Sequence, residues 1–201
     1  MIDAVKLDWE KMGGLIPAVV QDWETGELLM LGYMSRPALD KTMSTGQVTF
    51  FSRSRQELWT KGETSGHSLH LRKISADCDR DALLILAEPD GPTCHLGNQS
   101  CFGDDSAPSI AWLGKLARIV RLRGRDLPEG SYTAELLRAG LPRIAKKVGE
   151  EGVEVALAAV SKDENHCAEE IADLLYHLTV LMEAKGMSWS DVASILAKRH
   201  A

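Results

Sequence analysis

DCDRDALLILAEPDGPTCHLGNQSC, from Asp77 to Cys101, is the stretch whose reading decides the first half of the chain. It carries three of the four cysteines, Cys78, Cys94 and Cys101, with His95 directly beside Cys94. Three aspartates, Asp77, Asp79 and Asp81, alternate with Cys78 and Arg80. Along an extended strand that alternation puts the carboxylates on one face and Cys78 on the other. Thiolate sulfur is a soft ligand suited to zinc; carboxylate oxygen is hard and suits magnesium. One short strand is therefore expected to serve two metals. Three Cys ligands leave a fourth position open on tetrahedral zinc, the arrangement of a catalytic site with bound water. The stretch has no CxxC pair, which weakens a structural zinc ribbon. Buried free thiols are the blander reading, but DCDRD is too charged for a core strand.

A length of 201 residues allows one large or two modest domains. A hydrophobic content of 44% is ordinary for a chain that buries a core. The net charge of −6, without a block of like charges, argues against a nucleic-acid partner and suits an enzyme of small molecules. The opening MIDAVKLDWEKMGG lacks the apolar core of a signal peptide. No stretch approaches the roughly 18 apolar residues of a membrane span. The expected place is the cytoplasm, without a membrane partner, where cysteines serve as ligands rather than disulfides.

Up to Glu88 the chain reads as β-rich. Residues 7–14 form an entry turn. Leu15–Val20 is a strand whose Pro17 suggests an edge or a bulge. Leu28–Met34 pairs with it as a hairpin across Glu24–Glu27. Ser35 caps a short helix to Thr42, with Pro37 in its first turn and Gly46 beyond its end. Gln47–Ser52, Ser68–Ala76 and Asp81–Glu88 are further strands, the last with a Leu83-Leu84-Ile85-Leu86 run expected to be buried on both faces. Between them Trp59-Thr60-Lys61-Gly62-Glu63-Thr64-Ser65-Gly66-His67 offers glycines, hydroxyls and a lysine. Lys61, Thr64 and Ser65 are candidate phosphate donors, and Glu63 and His67 an acid/base pair. Many solvated hairpin loops look the same.

Together, Trp59–His67, Asp77–Asp81, Cys94-His95 and Cys101 resemble phosphoribosyl-AMP cyclohydrolase of histidine biosynthesis, over about residues 6–104. The resemblance implies zinc on Cys78, Cys94 and Cys101, drawn from two subunits of a homodimer. It implies magnesium on Asp77, Asp79 and Asp81. It also implies hydrolysis of the N1–C6 bond of an adenine ring that carries a second ribose phosphate. Zinc deaminases attack the same ring carbon but carry an HxE and PCxxC signature that this chain lacks. His95 is placed to move the proton, or else it only packs beside the ligands. His67 helps hold a metal or a substrate phosphate.

Asp104–Ser109 reads as a boundary between domains 1–104 and 109–201. Past it the period becomes helical: Leu113, Leu116, Ala117 and Val120 share a face, and Gly124 with Pro128–Gly130 ends that helix. Tyr132–Arg138 is a short helix before Gly140. Pro142 opens a long one to about Val160, and a loop at Lys162-Asp163 leads to another through Ala184. Ser188 or Ser190 caps the last, to Lys198. These connections suggest a helical bundle. Glu150, Glu151 and Glu154 lie at helical spacing, as do Glu170 and Asp173. On antiparallel neighbours these carboxylates converge and call for magnesium. Lys146–Glu150 and Lys147–Glu151 also read as ordinary surface pairs. His166 and His177 read as surface residues, Cys167 as core, and Trp112 and Trp189 as packing residues.

EExxE followed by ExxD resembles the all-α nucleotide pyrophosphatases. With Ser131-Tyr132-Thr133 and Lys146–Glu151 it is similar to phosphoribosyl-ATP pyrophosphatase over about residues 109–200. The resemblance implies magnesium-assisted release of diphosphate, with Glu151 and Glu154 in the chemistry and Lys146 and Lys147 on the substrate. The product is the substrate of the first domain. An alternative joins a housekeeping nucleotide pyrophosphatase to a zinc-bearing binding module. Assays of each half with phosphoribosyl-ATP and phosphoribosyl-AMP separate the two.

Overall fold

The computed structural model describes residues 6–160 and 164–200. The loop read at Lys162-Asp163 lies outside them. The chain divides into two compact units, Met1–Ala111 and Trp112–Ala201.

The first unit is strand-rich. Strands β1 (Ile16–Asp22), β2 (Leu28–Met34), β5 (Leu69–Ala76) and β6 (Leu83–Pro89) form one sheet in the order β2-β1-β6-β5. β1 and β6 run parallel and the other neighbours antiparallel. β3 (Thr49–Ser52) and β4 (Glu57–Thr60) form a separate hairpin. Helix α1 (Arg36–Thr45) forms where its local signals lie. Ser35 accepts from the Ala38 N–H, proline stands in the first turn, and Gly46 closes the helix at φ 72°. One core joins Ile16, Val20, Leu29, Met34, Leu39, Val48, Phe50, Leu69 and Ile85.

Several expectations change here. Pro17 lies in a central strand; pairing to β6 begins only at Ala18, so its missing N–H falls where one flank is open. β6 is buried on one face only, because α1 and the core lie on that side and Leu84 stays 40% exposed. β4 was not expected; its Trp59 pairs with Phe50, ring centroids 5.2 Å apart. Asp77–Asp81 is not extended. It is the turn between β5 and β6, with Arg80 at φ 64°.

The second unit is helical: α2 (Trp112–Asp126), α3 (Tyr132–Ala139), α4 (Leu141–Ala159), α5 (Glu164–Ala184) and α6 (Trp189–His200). Val120, Leu136, Ile144 and Val180 form its core. Gly124 does not end α2. It sits inside the helix, where a Cβ would lie 3.0 Å from Leu137. Ser188 caps α6, exchanging hydrogen bonds with Asp191. Trp112 is not a packing residue, being 62% exposed, whereas Trp189 is half-buried.

Gly32 on β2 lies against the Phe50 ring; a Cβ there would approach Cδ1 to 2.4 Å. Gly32→Ala is expected to destabilise the first unit by about 1–3 kcal/mol through overpacking. Urea unfolding followed by tryptophan fluorescence measures it, and an unchanged midpoint would show that the ring yields freely.

Candidate active sites

The first unit opens a cleft of about 570 Å³ lined by Trp59, Lys61–Ser65, His67, Cys94, His95 and Cys101, with Arg55 and Thr93 among its walls. The loop after β4 forms one wall and closes on itself. Glu63 Oε2 accepts from the Thr60 N–H at 3.0 Å, and Ser65 Oγ from the His67 N–H at 3.3 Å. Lys61 Nζ donates to the His67 carbonyl at 3.4 Å. Glu63 and His67 share the cleft, but the Glu63 carboxylate is bonded to backbone rather than to the imidazole. The His67 ring lies over Gly91, where a Cβ would meet Nδ1 at 2.4 Å.

The facing wall holds the thiols. A tight loop keeps Cys94 in place through its N–H to Asn98 O at 2.9 Å, and Cys101 is anchored to β2 through Leu29 O at 2.8 Å. The two side chains touch. Burial pushes the Cys101 thiol above its usual pKa, and neighbouring Cys94 adds to the effect. Burial lowers the Lys61 ammonium. His95 Nδ1 lies 3.9 Å from Cys94 Sγ. Cys78 is exposed on the β5–β6 turn and does not line the cleft. Thus one chain brings two of the three cysteines together, a soft donor pair that fits zinc but is incomplete.

On that turn, Asp77, Asp79 and Asp81 place oxygens within 4.8 Å of one another. Asp77 Oδ1 accepts the Asp81 and Ala82 N–H groups at 3.1 and 3.2 Å, which bends the segment and gathers the carboxylates. Lys11 Nζ lies 2.5 Å from both Asp79 and Asp81. Its bonds to Asp79 and Asp81 raise the Lys11 pKa, and the bond to Lys11 depresses that of Asp79. An ammonium thus sits among hard oxygens only, a donor set of the type that hard cations take. Nothing in the sequence around Lys11 marks this role.

In the second unit, α4 and α5 pack antiparallel, Glu154 beside Glu170 and Glu151 against His177. Glu151, Glu154 and Glu170 offer oxygens within 4.8 Å of one another. Glu150 and Asp173 lie outside that trio. Glu150 turns to Lys146 at 3.2 Å and Lys147 at 3.1 Å, and Lys147 reaches Glu151 at 2.8 Å. Lys147 holds Glu151 below the usual carboxylate range, and Glu151 in turn pushes Glu154 up. Such crowding of carboxylates fits a divalent cation.

His177 is not a surface residue. It is buried among Tyr132, Tyr176 and Glu151, and burial lowers its pKa below 6.5. Tyr176 hydrogen-bonds Thr133 at 2.8 Å, joining α5 to α3. The sequence put His177 on the polar side of its helix, but Tyr132 of α3 and Glu151 of α4 lie against that side.

A family model for phosphoribosyl-AMP cyclohydrolase matches residues 30–103, and one for phosphoribosyl-ATP pyrophosphohydrolase matches residues 113–200. The histidine biosynthesis bifunctional protein HisIE of Shewanella oneidensis is 52% identical over 198 residues, which is 98% of this chain and 93% of the relative. The chain belongs to this family of bifunctional histidine-biosynthesis enzymes. Proteins of the same name from Photobacterium profundum, 52% identical over 96% of both chains, and Escherichia coli, 53% identical over 97% of this chain and 96% of the relative, are similar throughout. The cyclohydrolase match falls on the unit with the thiol cleft, and the pyrophosphohydrolase match on the unit with the glutamate trio. Among the described residues no helix is long and apolar enough to cross a membrane.

A histidine with a lowered folded pKa resists a proton that the unfolded chain accepts. The second unit is therefore expected to lose stability as pH falls through 6.5, until folded His177 itself protonates. Depressed carboxylates such as Glu151 add their loss only below about 4.5. His177→Gln should flatten the dependence between about pH 7 and 5. Urea unfolding followed by helix circular dichroism checks it, and an unchanged slope would assign the loss elsewhere.

Proposed function

We infer that the chain performs two consecutive hydrolyses of histidine biosynthesis. Domain 109–201, a helical bundle of the nucleotide pyrophosphatase type, releases diphosphate from phosphoribosyl-ATP. Domain 1–104 then opens the adenine ring of the phosphoribosyl-AMP so formed. The observation that carries this reading is the pairing of each family match with its own cluster of side chains of metal-ligating type.

In the pyrophosphohydrolase site Glu151, Glu154 and Glu170 hold magnesium, with Glu150 and Asp173 completing the carboxylate set. Lys146 and Lys147 bind phosphate oxygens, releasing the glutamates they pair with at rest. Glu151 and Glu154 also orient the attacking water. Bound magnesium would supply charge neutralisation on the phosphate oxygens.

In the cyclohydrolase site Lys61, Thr64 and Ser65 bind a substrate phosphate. Glu63 shapes the loop that carries them and, with His67, serves as acid and base. His95 takes the proton from the attacking water and returns it to ring N1 as the N1–C6 bond breaks. Cys94 and Cys101 of one subunit and Cys78 of a second hold zinc, and Asp77, Asp79 and Asp81 hold magnesium once Lys11 swings aside. Bound zinc would supply the Lewis acidity that brings water near a pKa of about 7. The enzyme is then a homodimer, and thiols that must stay reduced suit the cytoplasm.

Glu154→Gln is expected to slow diphosphate release by about a hundredfold or more while sparing ring opening. Cys94→Ser should remove zinc and ring opening while sparing diphosphate release. Equal turnover of phosphoribosyl-ATP by Glu154→Gln and parent, or unchanged zinc in Cys94→Ser, would reject the respective assignment. Mixing a Cys78→Ser chain with a Cys94→Ser chain tests the shared site. Each heterodimer keeps one intact ligand set, so part of the ring-opening activity should return. No recovery, with heterodimers confirmed by mass, would place all three ligands in one subunit.

A further inference from the structure

The glutamate trio does not account for His177. Its side chain is buried, with 4% of the residue exposed. Nε2 lies 3.5 Å from Glu151 Oε1, the same oxygen that Lys147 Nζ contacts at 2.8 Å. Nδ1 is buried without a hydrogen-bond partner among the described residues. The rings of Tyr132 and Tyr176 meet the imidazole edge-on, at 6.0 and 5.0 Å and at 87° and 71°.

An apolar side chain would fill this space without burying two ring nitrogens, so packing alone does not explain a histidine. Orphaned buried N–H groups are rarer than orphaned acceptors, which puts the proton on Nε2 and leaves Nδ1 as a bare lone pair. Nε2 carries a proton in that neutral tautomer and in the charged form alike. In both it faces the Glu151 carboxylate. Two near-perpendicular ring contacts hold the imidazole plane in that direction.

Helix membership makes the contact consequential. Lys147 rides on α4 with Glu151, so its bond sets a rotamer but not the distance between helices. His177 rides on α5 with Glu170, the trio's member from the opposite helix. We propose that His177 is a positioning residue of the pyrophosphohydrolase site, its Nε2–H drawing Glu151 Oε1 toward α5 so that Glu151, Glu154 and Glu170 present oxygens to one divalent cation. The proposal rests on the reading of that trio as a metal site. Side chains that support metal ligands in this way change metal affinity or activity by about 10- to 100-fold when removed.

The test titrates Mn²⁺ into the full-length protein by calorimetry, with Glu154→Gln supplying the binding contributed by sites elsewhere. His177→Leu keeps the bulk and removes the donor. His177→Gln restores an amide N–H near the Nε2 position, and His177→Asn restores one only near Nδ1. Mn²⁺ affinity at the trio should fall about tenfold or more in His177→Leu and His177→Asn and return toward the parent value in His177→Gln. kcat for diphosphate release should follow the same order at limiting Mn²⁺, with KM for phosphoribosyl-ATP moving less. If His177→Leu does not fold, the comparison of Gln with Asn decides alone. Equal affinities in Gln and Asn, or parent affinity in Leu, overturn the proposal. If Glu154→Gln binds Mn²⁺ as the parent does, the metal-site reading itself fails, a result distinct from loss of binding in Glu154→Gln with none in the His177 variants.

Discussion

Crowding of like charge is the constraint around which both halves of this chain are built. Each half gathers three carboxylates whose oxygens fall within 4.8 Å of one another. Left alone, such groups repel, and at least one takes up a proton. Each half meets the repulsion with cations of its own. In the first, the ammonium of Lys11 crosses from a turn that precedes β1 and bridges Asp79 and Asp81. In the second, Lys146 and Lys147 stand one turn ahead of Glu150 and Glu151 on the same helix. Lys11 thus draws two of the three aspartates together, and Lys147 holds Glu151 below the usual carboxylate range while Glu154, without a lysine of its own, is pushed up beside it.

The two clusters reach that state by opposite routes. Asp77–Asp81 is a local construction, since a single carboxylate accepting two backbone N–H groups bends five residues into a turn. The glutamate trio is non-local. α4 supplies two members at i,i+3 and α5 one, so its geometry depends on packing between helices. A local cluster survives strain in the surrounding fold; one assembled from two helices moves with their separation. His177, buried on α5 with its Nε2 3.5 Å from Glu151 of α4, is one of the contacts across that separation.

This difference also explains what was legible in the sequence. Helix α1 could be read closely because its signals are local: the Ser35 cap, Pro37 and the left-handed Gly46. The ligand types could be read too, because donor chemistry belongs to the residue. Alternating aspartates misled, since the same alternation suits a strand and a tight turn, and only the left-handed Arg80 distinguishes them. Gly124 looked like a stop, but it serves close packing against Leu137, a partner more than ten residues away. His177 read as a surface residue on the polar side of its helix, whereas its burial comes from Tyr132 on α3 and Glu151 on α4. No local pattern carries such information.

The distribution of sulfur and oxygen donors bears on how one chain can hold two chemistries. Affinity alone would let a first-row metal such as zinc outcompete magnesium at most sites, so selectivity must come from ligand type and geometry. Here the thiols that line a cleft, Cys94 and Cys101, are kept apart from the acidic turn, and the helical trio contains no sulfur. Cys78 is the exception, a soft donor set among hard ones on the turn. Its thiol cannot join its own chain's pair while it remains outside the cleft. Under the shared-site reading that separation becomes an advantage: a subunit alone has too few thiolates to hold zinc firmly, and the full set arises only on association. Metal binding and assembly then stabilise each other by mass action.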